Sequence, residues 1–300
     1  MIVLKRNVLN IPILYLWYLF IGTFMQKIAL ITGATGGLGQ AIAKKLLKDN
    51  WNLILVSRNL EKLQAAYGDS HTQIIADCSH SAGVKHIFEV INANNLLPTA
   101  LAHCVGNIRL GALHRMSEMD FVDCMTTNLF SAFYTLAAFI DCLKNSTSAG
   151  SAVLVSSAAA RVGTPNHEAI ASAKGGLEAL VRSASATYAT ADIRINAVAP
   201  GILDTPAAAK ILSSDLTREI AEKQYPIKGI GNPEDVADLM AWLLSEPAKR
   251  VTGQIWSIYG GFQASGRLLN SLIVISSAIL DINFLFLVSA YHKNVLLFSK

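Results

Sequence analysis

The stretch KIALITGATGGLG at residues 27–39, followed by QAIAKKLLK at residues 40–48, decides the fold. An apolar run precedes a glycine-rich turn, and Leu38, Ile42 and Leu46 then recur at helical spacing, which predicts a buried strand, a tight loop and an amphipathic helix. Glycine allows a positive φ and a close approach of ligand to backbone, and a helix N-terminus favours phosphate. The stretch indicates a phosphate-binding βα turn. A tight connection without a ligand is the alternative.

Composition narrows the possible partners. The chain has 300 residues, of which 52% are hydrophobic, and a net charge of +4 without a basic run, so nucleic acid is excluded as the default partner. The four cysteines, Cys78, Cys104, Cys124 and Cys142, show no C-x-x-C pairing. We expect them to be small buried side chains in a reducing, cytoplasmic compartment, and we expect no metal site.

The two ends of the chain are more apolar than its middle. Lys5 and Arg6 precede an apolar segment, so residues 1–25 could form a membrane anchor, or Met25 could be the true start. Residues 268–300 are apolar but carry Asp281, whose charge disfavours a membrane span. They could pack on the domain or on a partner subunit, or be a read-through artefact. Membrane association is therefore the alternative to a cytoplasmic location.

Between these ends, predicted strands and helices alternate. Further strands are expected at residues 52–56, 72–76, 99–105, 151–156, 193–198 and 254–258, and helices at residues 60–67, 81–94, 119–143, 167–190 and 233–244. This alternation predicts an α/β fold with a three-layer, doubly wound parallel sheet, which is the Rossmann fold. Residues 26–267 are expected to form a single domain.

Several residues after these strands match a known pattern. Asp77 follows the third strand, Asn128 lies in an Asn-x-x-x-Ala setting, Ser156-Ser157 ends the fifth strand, and Pro200-Gly201 follows the sixth. In this order they resemble the short-chain dehydrogenases/reductases, in the branch that includes the 3-oxoacyl-carrier-protein reductases. The resemblance covers residues 26–267. One departure is His103-Cys104-Val105-Gly106, where the family usually has Asn-Asn-Ala-Gly.

The resemblance implies a nicotinamide dinucleotide cofactor. In the family an acid after the second strand would bind the ribose hydroxyls of NAD, whereas this chain has Ser57 and Arg58 there. Arg58 could bind the 2′-phosphate of NADP, so NADP(H) is favoured over NAD(H); a solvated surface charge is the alternative. The cofactor-binding residues implied by the resemblance are Gly33, Thr35, Gly37, Leu38, Gly39, Arg58, Asp77, Gly106, Lys174, Pro200, Gly201 and Thr205.

The catalytic tyrosine of the family is missing. The family's chemistry relies on Tyr-x-x-x-Lys, and here Lys174 is preceded, at i−4, by Ile170, which stands thirteen residues after Ser157 as the tyrosine would. Isoleucine cannot donate a proton to the developing alkoxide. The candidate catalytic residues are Ser157, Asn128 and Lys174. The proton could come from a water ordered by Asn128 and Lys174, or from His167, which could equally be an exposed capping residue.

Two functions follow from these residues. The first is an NADP(H)-dependent oxidoreductase acting on a carbonyl or alcohol substrate; the second is a non-catalytic dinucleotide-binding sensor or assembly protein. The resemblance also implies a homodimer or homotetramer formed through the helices at residues 119–143 and 167–190. Residues 206–223 are expected to cover the substrate. A fatty-acyl thioester, a sugar, a steroid and a small ketone all remain open.

Overall fold

The computed structural model describes residues 27–263, which are built around a seven-stranded parallel sheet of order β3-β2-β1-β4-β5-β6-β7. The strands are β1 (Ile28–Thr32), β2 (Asn52–Ser57), β3 (Thr72–Ile75), β4 (Ala100–His103), β5 (Gly150–Val155), β6 (Ile193–Pro200) and β7 (Ile255–Ile258). The α-helices are α1 (Gly37–Lys48), α2 (Leu60–Tyr67), α3 (Ser81–Ala93), α4 (Glu118–Met125), α5 (Ser131–Asn145), α6 (Glu168–Tyr188), α7 (Asp215–Glu222) and α8 (Pro233–Leu244).

The sheet is buried on both faces. Successive side chains of β1 alternate, so that Leu30 belongs to one apolar cluster and Ile31 to another. The Leu30 cluster includes residues of α3, α5 and α6, and the Ile31 cluster includes residues of α1, α2 and α8. Because a strand covered on both sides needs apolar residues throughout, β1 is a continuous apolar run up to Thr32. The predicted three-layer, doubly wound fold is confirmed.

The strand order reverses between β1 and β4, and this places the site. In open parallel sheets, ligands bind beyond the carboxyl ends of the strands at such a switch point. The glycine turn follows β1, Gly106 follows β4, Ser157 follows β5 and Gly201 follows β6. The topology therefore brings the segments singled out in the sequence to one edge of the sheet.

The long helix predicted at residues 119–143 is not a uniform α-helix. A π-helical segment, Thr126–Phe130, lies between α4 and α5. The predicted long helix is confirmed, since the three helical segments follow one another without a gap. The π turn was not predicted, because it adds one residue to a helical turn without interrupting the apolar pattern. Such turns are frequent at functional sites. This one contains Asn128, whose side chain is fully buried.

Two predicted helices and the expected burial of the cysteines agree with the structure. Both α2 and α8 have the predicted boundaries. Residues 206–223, which are expected to cover the substrate, contain α7, and this helix begins with a capping box formed by Ser214 and Thr217. The four cysteines are free thiols, buried or partly buried. Within residues 27–263 no helix is both long and apolar enough to cross a membrane. The apolar segments predicted at the two ends lie outside the described residues.

Candidate active site

The glycine turn has the geometry of a phosphate cradle. Gly33 has φ = +70°, and a Cβ there would lie 2.8 Å from the carbonyl carbon of Cys104. Helix α1 begins directly after the turn without a side-chain cap, so its first N–H groups remain as donors. A Cβ at Gly37 would lie 2.7 Å from Cγ2 of Thr205, so Thr205 closes over the turn. These residues fit a pyrophosphate.

A second polar group lies at the carboxyl ends of β2 and β3. The hydroxyl oxygens of Thr35 and Ser57 are 2.9 Å apart. The side chain of Arg58 is 75% exposed, and its guanidinium lies 3.9 Å from the carboxylate of Asp77. Asp77 accepts hydrogen bonds from the backbone N–H and the hydroxyl of Ser79. Two hydroxyls and an accessible guanidinium fit a ribose phosphate.

Asn128, Gly106 and Lys174 come together as predicted. A Cβ added to Gly106 would lie 2.9 Å from Oδ1 of Asn128 and 3.6 Å from Nζ of Lys174. The amide group of Asn128 donates to the carbonyl of Cys124 at 2.9 Å and to Oδ1 of Asn107 at 2.8 Å. These bonds fix the side chain at the π segment, so only glycine fits at position 106.

Lys174 is a buried cation. Its Nζ donates to the carbonyl of Val155 at 2.7 Å. Burial lowers the pKa of Lys174 from its usual value to about 8, and the neighbouring thiols of Cys124 and Cys104 oppose this shift. A lysine with such a pKa can give up or hold a proton close to neutral pH.

Ser157 caps a short 3-10 turn, Ala158–Ala160. Its hydroxyl oxygen accepts a hydrogen bond from the N–H of Ala159 at 3.2 Å. Because the oxygen is the acceptor in that bond, the hydroxyl proton can be donated elsewhere. The geometry suits a donor to a substrate oxygen.

Ile170 belongs to a small apolar cluster. Only 5% of its surface is exposed, and it packs with Cys124 and Ala169. Met116, Phe121 and Ala159 border this cluster. Position 170, where the family resemblance predicts a tyrosine, therefore holds a well-packed apolar side chain.

His167 is the N-cap residue of α6, and its Nδ1 lies 2.7 Å from the carbonyl oxygen of Pro165. A carbonyl can only accept, so Nδ1 carries a proton and Nε2 is the second, remaining nitrogen. His167 thus makes a local hydrogen bond to Pro165 without capping α6 through its side chain, and one ring nitrogen is left for other partners.

His103 links neighbouring elements next to the site through side-chain hydrogen bonds, a role that we did not predict from the sequence. Its Nδ1 lies 2.8 Å from the hydroxyl of Thr32, and its Nε2 lies 3.1 Å from the hydroxyl of Ser131. The Ser131 hydroxyl donates to the carbonyl of Thr127, so it must accept from Nε2–H, and Nδ1 accepts from Thr32. Burial, followed by the charge of Lys174, lowers the pKa of His103 to about 3. A neutral histidine in β4 is therefore bonded to Thr32 of β1 and to Ser131 at the start of α5, and Ser131 in turn bonds to the π segment. The sequence does contain a signal for this role, since His103 is a single polar residue at the end of a buried strand.

Known proteins of similar sequence identify the family of this chain. The family model described as enoyl-(acyl carrier protein) reductase matches residues 33–263. Carbonyl reductase family member 4 from Danio rerio is 30% identical over 244 residues, covering 80% of this chain and 99% of the relative. The 3-oxoacyl-[acyl-carrier-protein] reductase from Bos taurus is 30% identical over 242 residues, covering 80% of this chain and 99% of the relative.

Solved structures show the same likeness. A variant of ElxO with NADPH bound superimposes with a TM-score of 0.74 at 26% identity, covering 80% of this chain and all of that chain. The family model spans more than half of the chain, and the relatives are matched over almost their whole length. The chain belongs to the short-chain dehydrogenase/reductase family.

Proposed function

We propose that the protein is an NADPH-dependent oxidoreductase that reduces a carbonyl group to an alcohol without a catalytic tyrosine. The observation that carries this proposal is the convergence of Asn128, Lys174 and Gly106 at the carboxyl edge of the sheet, with Ser157 two residues after the end of β5. Relatives named as carbonyl and 3-oxoacyl reductases support the reaction type. The cofactor, when bound, supplies the hydride.

The preference for NADP(H) rests on the end of β2. Thr35, Ser57 and Arg58 offer two hydroxyls and one guanidinium at the place where the fold puts the adenine ribose. An acid here would repel a 2′-phosphate, and this chain has none at positions 57 and 58. The solved ElxO variant with NADPH bound is consistent with this assignment.

Each catalytic residue has a separate task. Ser157 donates its hydroxyl hydrogen bond to the carbonyl oxygen of the substrate and so stabilises the charge that develops there. Lys174 holds the ribose hydroxyls of the cofactor. The proton that completes the alcohol comes from Lys174 through a water held beside Asn128.

The choice of proton donor follows from the titratable groups near Lys174. Both nitrogens of His103 are already hydrogen-bonded, and burial raises the pKa of Cys104 to about 12 and also raises the pKa of Cys124. Lys174, with a pKa of about 8, is the group best suited to release a proton near neutral pH. His167 is the alternative donor, in its imidazolium form, in which Nε2 carries a second proton.

A non-catalytic dinucleotide-binding protein is the second candidate function. The packing of Ile170 in an apolar cluster favours it, because the tyrosine has been replaced by a residue that contributes to the core. In that case the protein would bind NADPH tightly and reduce nothing.

We also propose that the protein forms a homodimer or homotetramer through α4, the π segment and α5. Met119 is 77% exposed, and Val122, Phe130 and Phe133 of the same stretch are exposed as well. A contiguous stretch with so many exposed apolar residues indicates a contact surface.

The test begins with fluorescence titrations of the full chain with NADPH and NADH. Cofactor oxidation is then followed with a 3-oxoacyl thioester, a cyclic ketone and an aldose. We expect tighter binding of NADPH and measurable turnover of at least one substrate. Tight binding of NADPH without turnover of any of them would favour the non-catalytic function. Tighter binding of NADH would refute the cofactor assignment.

A further inference from the structure

Glu178 is a buried carboxylate that the catalytic assignment does not use. It lies on α6 one turn after Lys174, and 4% of its surface is exposed. A buried carboxylate is costly unless charged or hydrogen-bonding groups surround it. Its partners therefore identify what it holds in place.

Three side chains approach this carboxylate. The hydroxyl of Ser156 donates to Oε1 at 2.9 Å. The Nε of Arg161 lies 3.2 Å from Oε1 and 3.1 Å from Oε2, and a guanidinium nitrogen of Arg182 lies 3.7 Å from Oε2. Arg182 is on the same helix, whereas Ser156 and Arg161 belong to the loop after β5.

Ser156 and Arg161 flank the candidate catalytic serine. Residues 156–161, here called the serine segment, contain Ser157 and the 3-10 turn that it caps. Glu178 binds the first side chain of this segment and the last one. The turn between them is closed by a backbone hydrogen bond from Arg161 to Ala158 at 3.0 Å.

The same helix also holds the residue before the serine segment. Lys174 donates to the carbonyl of Val155, and Glu178, one turn later, accepts from the hydroxyl of Ser156. Two adjacent residues at the end of β5 are thus bound by two side chains of α6 at i and i+4. This ties the position of Ser157 to that of Lys174.

We propose that Glu178 is a positioning residue that fixes the serine segment against α6 and so sets the place of the Ser157 hydroxyl relative to Lys174. The catalytic part of this inference rests on the proposed function. Glu178 does not touch substrate or cofactor; it acts through Ser156 and Arg161.

The test compares Glu178→Gln with Glu89→Gln. The first keeps the side-chain size and one acceptor for Ser156 but removes the charge that binds Arg161. The second makes the same substitution in an exposed i,i+4 pair on α3, where Glu89 lies 3.7 Å from Lys85. Ser156→Ala removes one hydroxyl and serves as a second variant if Glu178→Gln fails to fold.

Two readouts are measured on the full chain. Hydrogen exchange followed by mass spectrometry should show at least about tenfold faster exchange in the serine segment of Glu178→Gln, with the rest of the sheet unchanged. Turnover should fall about tenfold, the size expected for one misplaced hydrogen bond, with the KM for NADPH unchanged within about twofold. Ser156→Ala should show smaller changes in the same direction, and Glu89→Gln none.

The outcomes separate this inference from the proposed function. Uniformly faster exchange through the domain, with turnover unchanged, would overturn the inference and leave Glu178 a stabilising residue only. Unchanged exchange in the serine segment of both variants would overturn it as well. If exchange is faster only in the serine segment of Glu178→Gln and the native protein shows no turnover, the attachment of the segment by Glu178 is supported and the proposed function is refuted.

Discussion

The buried ammonium of Lys174 should make the stability of the fold depend on pH in a defined window. Its pKa in the folded protein is about 8, whereas a lysine in the unfolded chain has a pKa near the ordinary value of 10.5. Between these values the unfolded chain binds a proton that the folded chain has lost. The free energy of unfolding should therefore rise with pH across this window.

The size of this effect follows from the difference in pKa. About 1.4 kcal/mol per pKa unit gives roughly 3 kcal/mol between about pH 8 and pH 10.5. Below pH 8 both states are protonated, so the cost of burying the charge is present in full and the slope vanishes.

The assay is urea unfolding of the native chain and of Lys174→Met at about pH 7.5, 9 and 10.5. Loss of the bond to Val155 gives a constant offset, and other titrating groups are common to both proteins. The native stability minus that of the variant should therefore increase by about 3 kcal/mol with pH. Lys85→Met, at an exposed lysine on α3, is the control and should show no pH-dependent difference. If the difference in free energy of unfolding between the native chain and Lys174→Met does not change with pH, Lys174 is not a buried lysine with a lowered pKa.

Three further predictions concern other parts of the molecule. Arg58→Ala should weaken NADPH binding about tenfold and leave NADH binding unchanged, as measured by fluorescence titration; an equal loss for both would contradict the phosphate contact. His103→Leu should lower the free energy of unfolding by about 1–3 kcal/mol, because the buried Thr32 hydroxyl loses its acceptor, and an unchanged urea midpoint would exclude this role. Phe133→Glu should reduce the mass seen by light scattering to that of a monomer; an oligomer of unchanged mass would place the interface elsewhere.

The sequence predicted the sheet well because each strand is decided locally. An apolar run followed by glycine, as at β1, needs little tertiary information, and α2 and α8 are bounded by Asn59 and Asn232, whose side chains cap them. The π segment could not be predicted in this way. Its extra residue changes which carbonyl a backbone N–H contacts, and the apolar pattern of α4 and α5 continues through it.

The site was predicted in part. Asn128 and Lys174 are far apart in sequence and lie on helical segments, so they could be placed together only through the family resemblance. Gly106 could be placed at the site because it follows a strand of the parallel sheet. The roles of His103 and Glu178 were not predicted, because they depend on partners that are distant in sequence. His103 bonds to Thr32 in another strand, and Glu178 bonds to Ser156 across the gap between sheet and helix. Such contacts leave no spacing signal in the chain.

The most direct test of the proposed function is hydride transfer itself in a protein that has Ile170 where we expect the tyrosine of the family. The native chain, Ile170→Tyr and Ile170→Phe would each be incubated with NADPH deuterated at C4 and a 3-oxoacyl thioester, a cyclic ketone or an aldose, and the alcohol analysed by mass spectrometry. Phe matches the bulk of Tyr without its hydroxyl. We expect deuterium in the product of the native chain and a rate about 10²–10⁴ higher for Ile170→Tyr but not for Ile170→Phe, since only tyrosine adds a general acid. Bound NADPH, no deuterium in any product of the native chain, and transfer only by Ile170→Tyr would contradict the account and leave a dinucleotide-binding protein that has lost its chemistry.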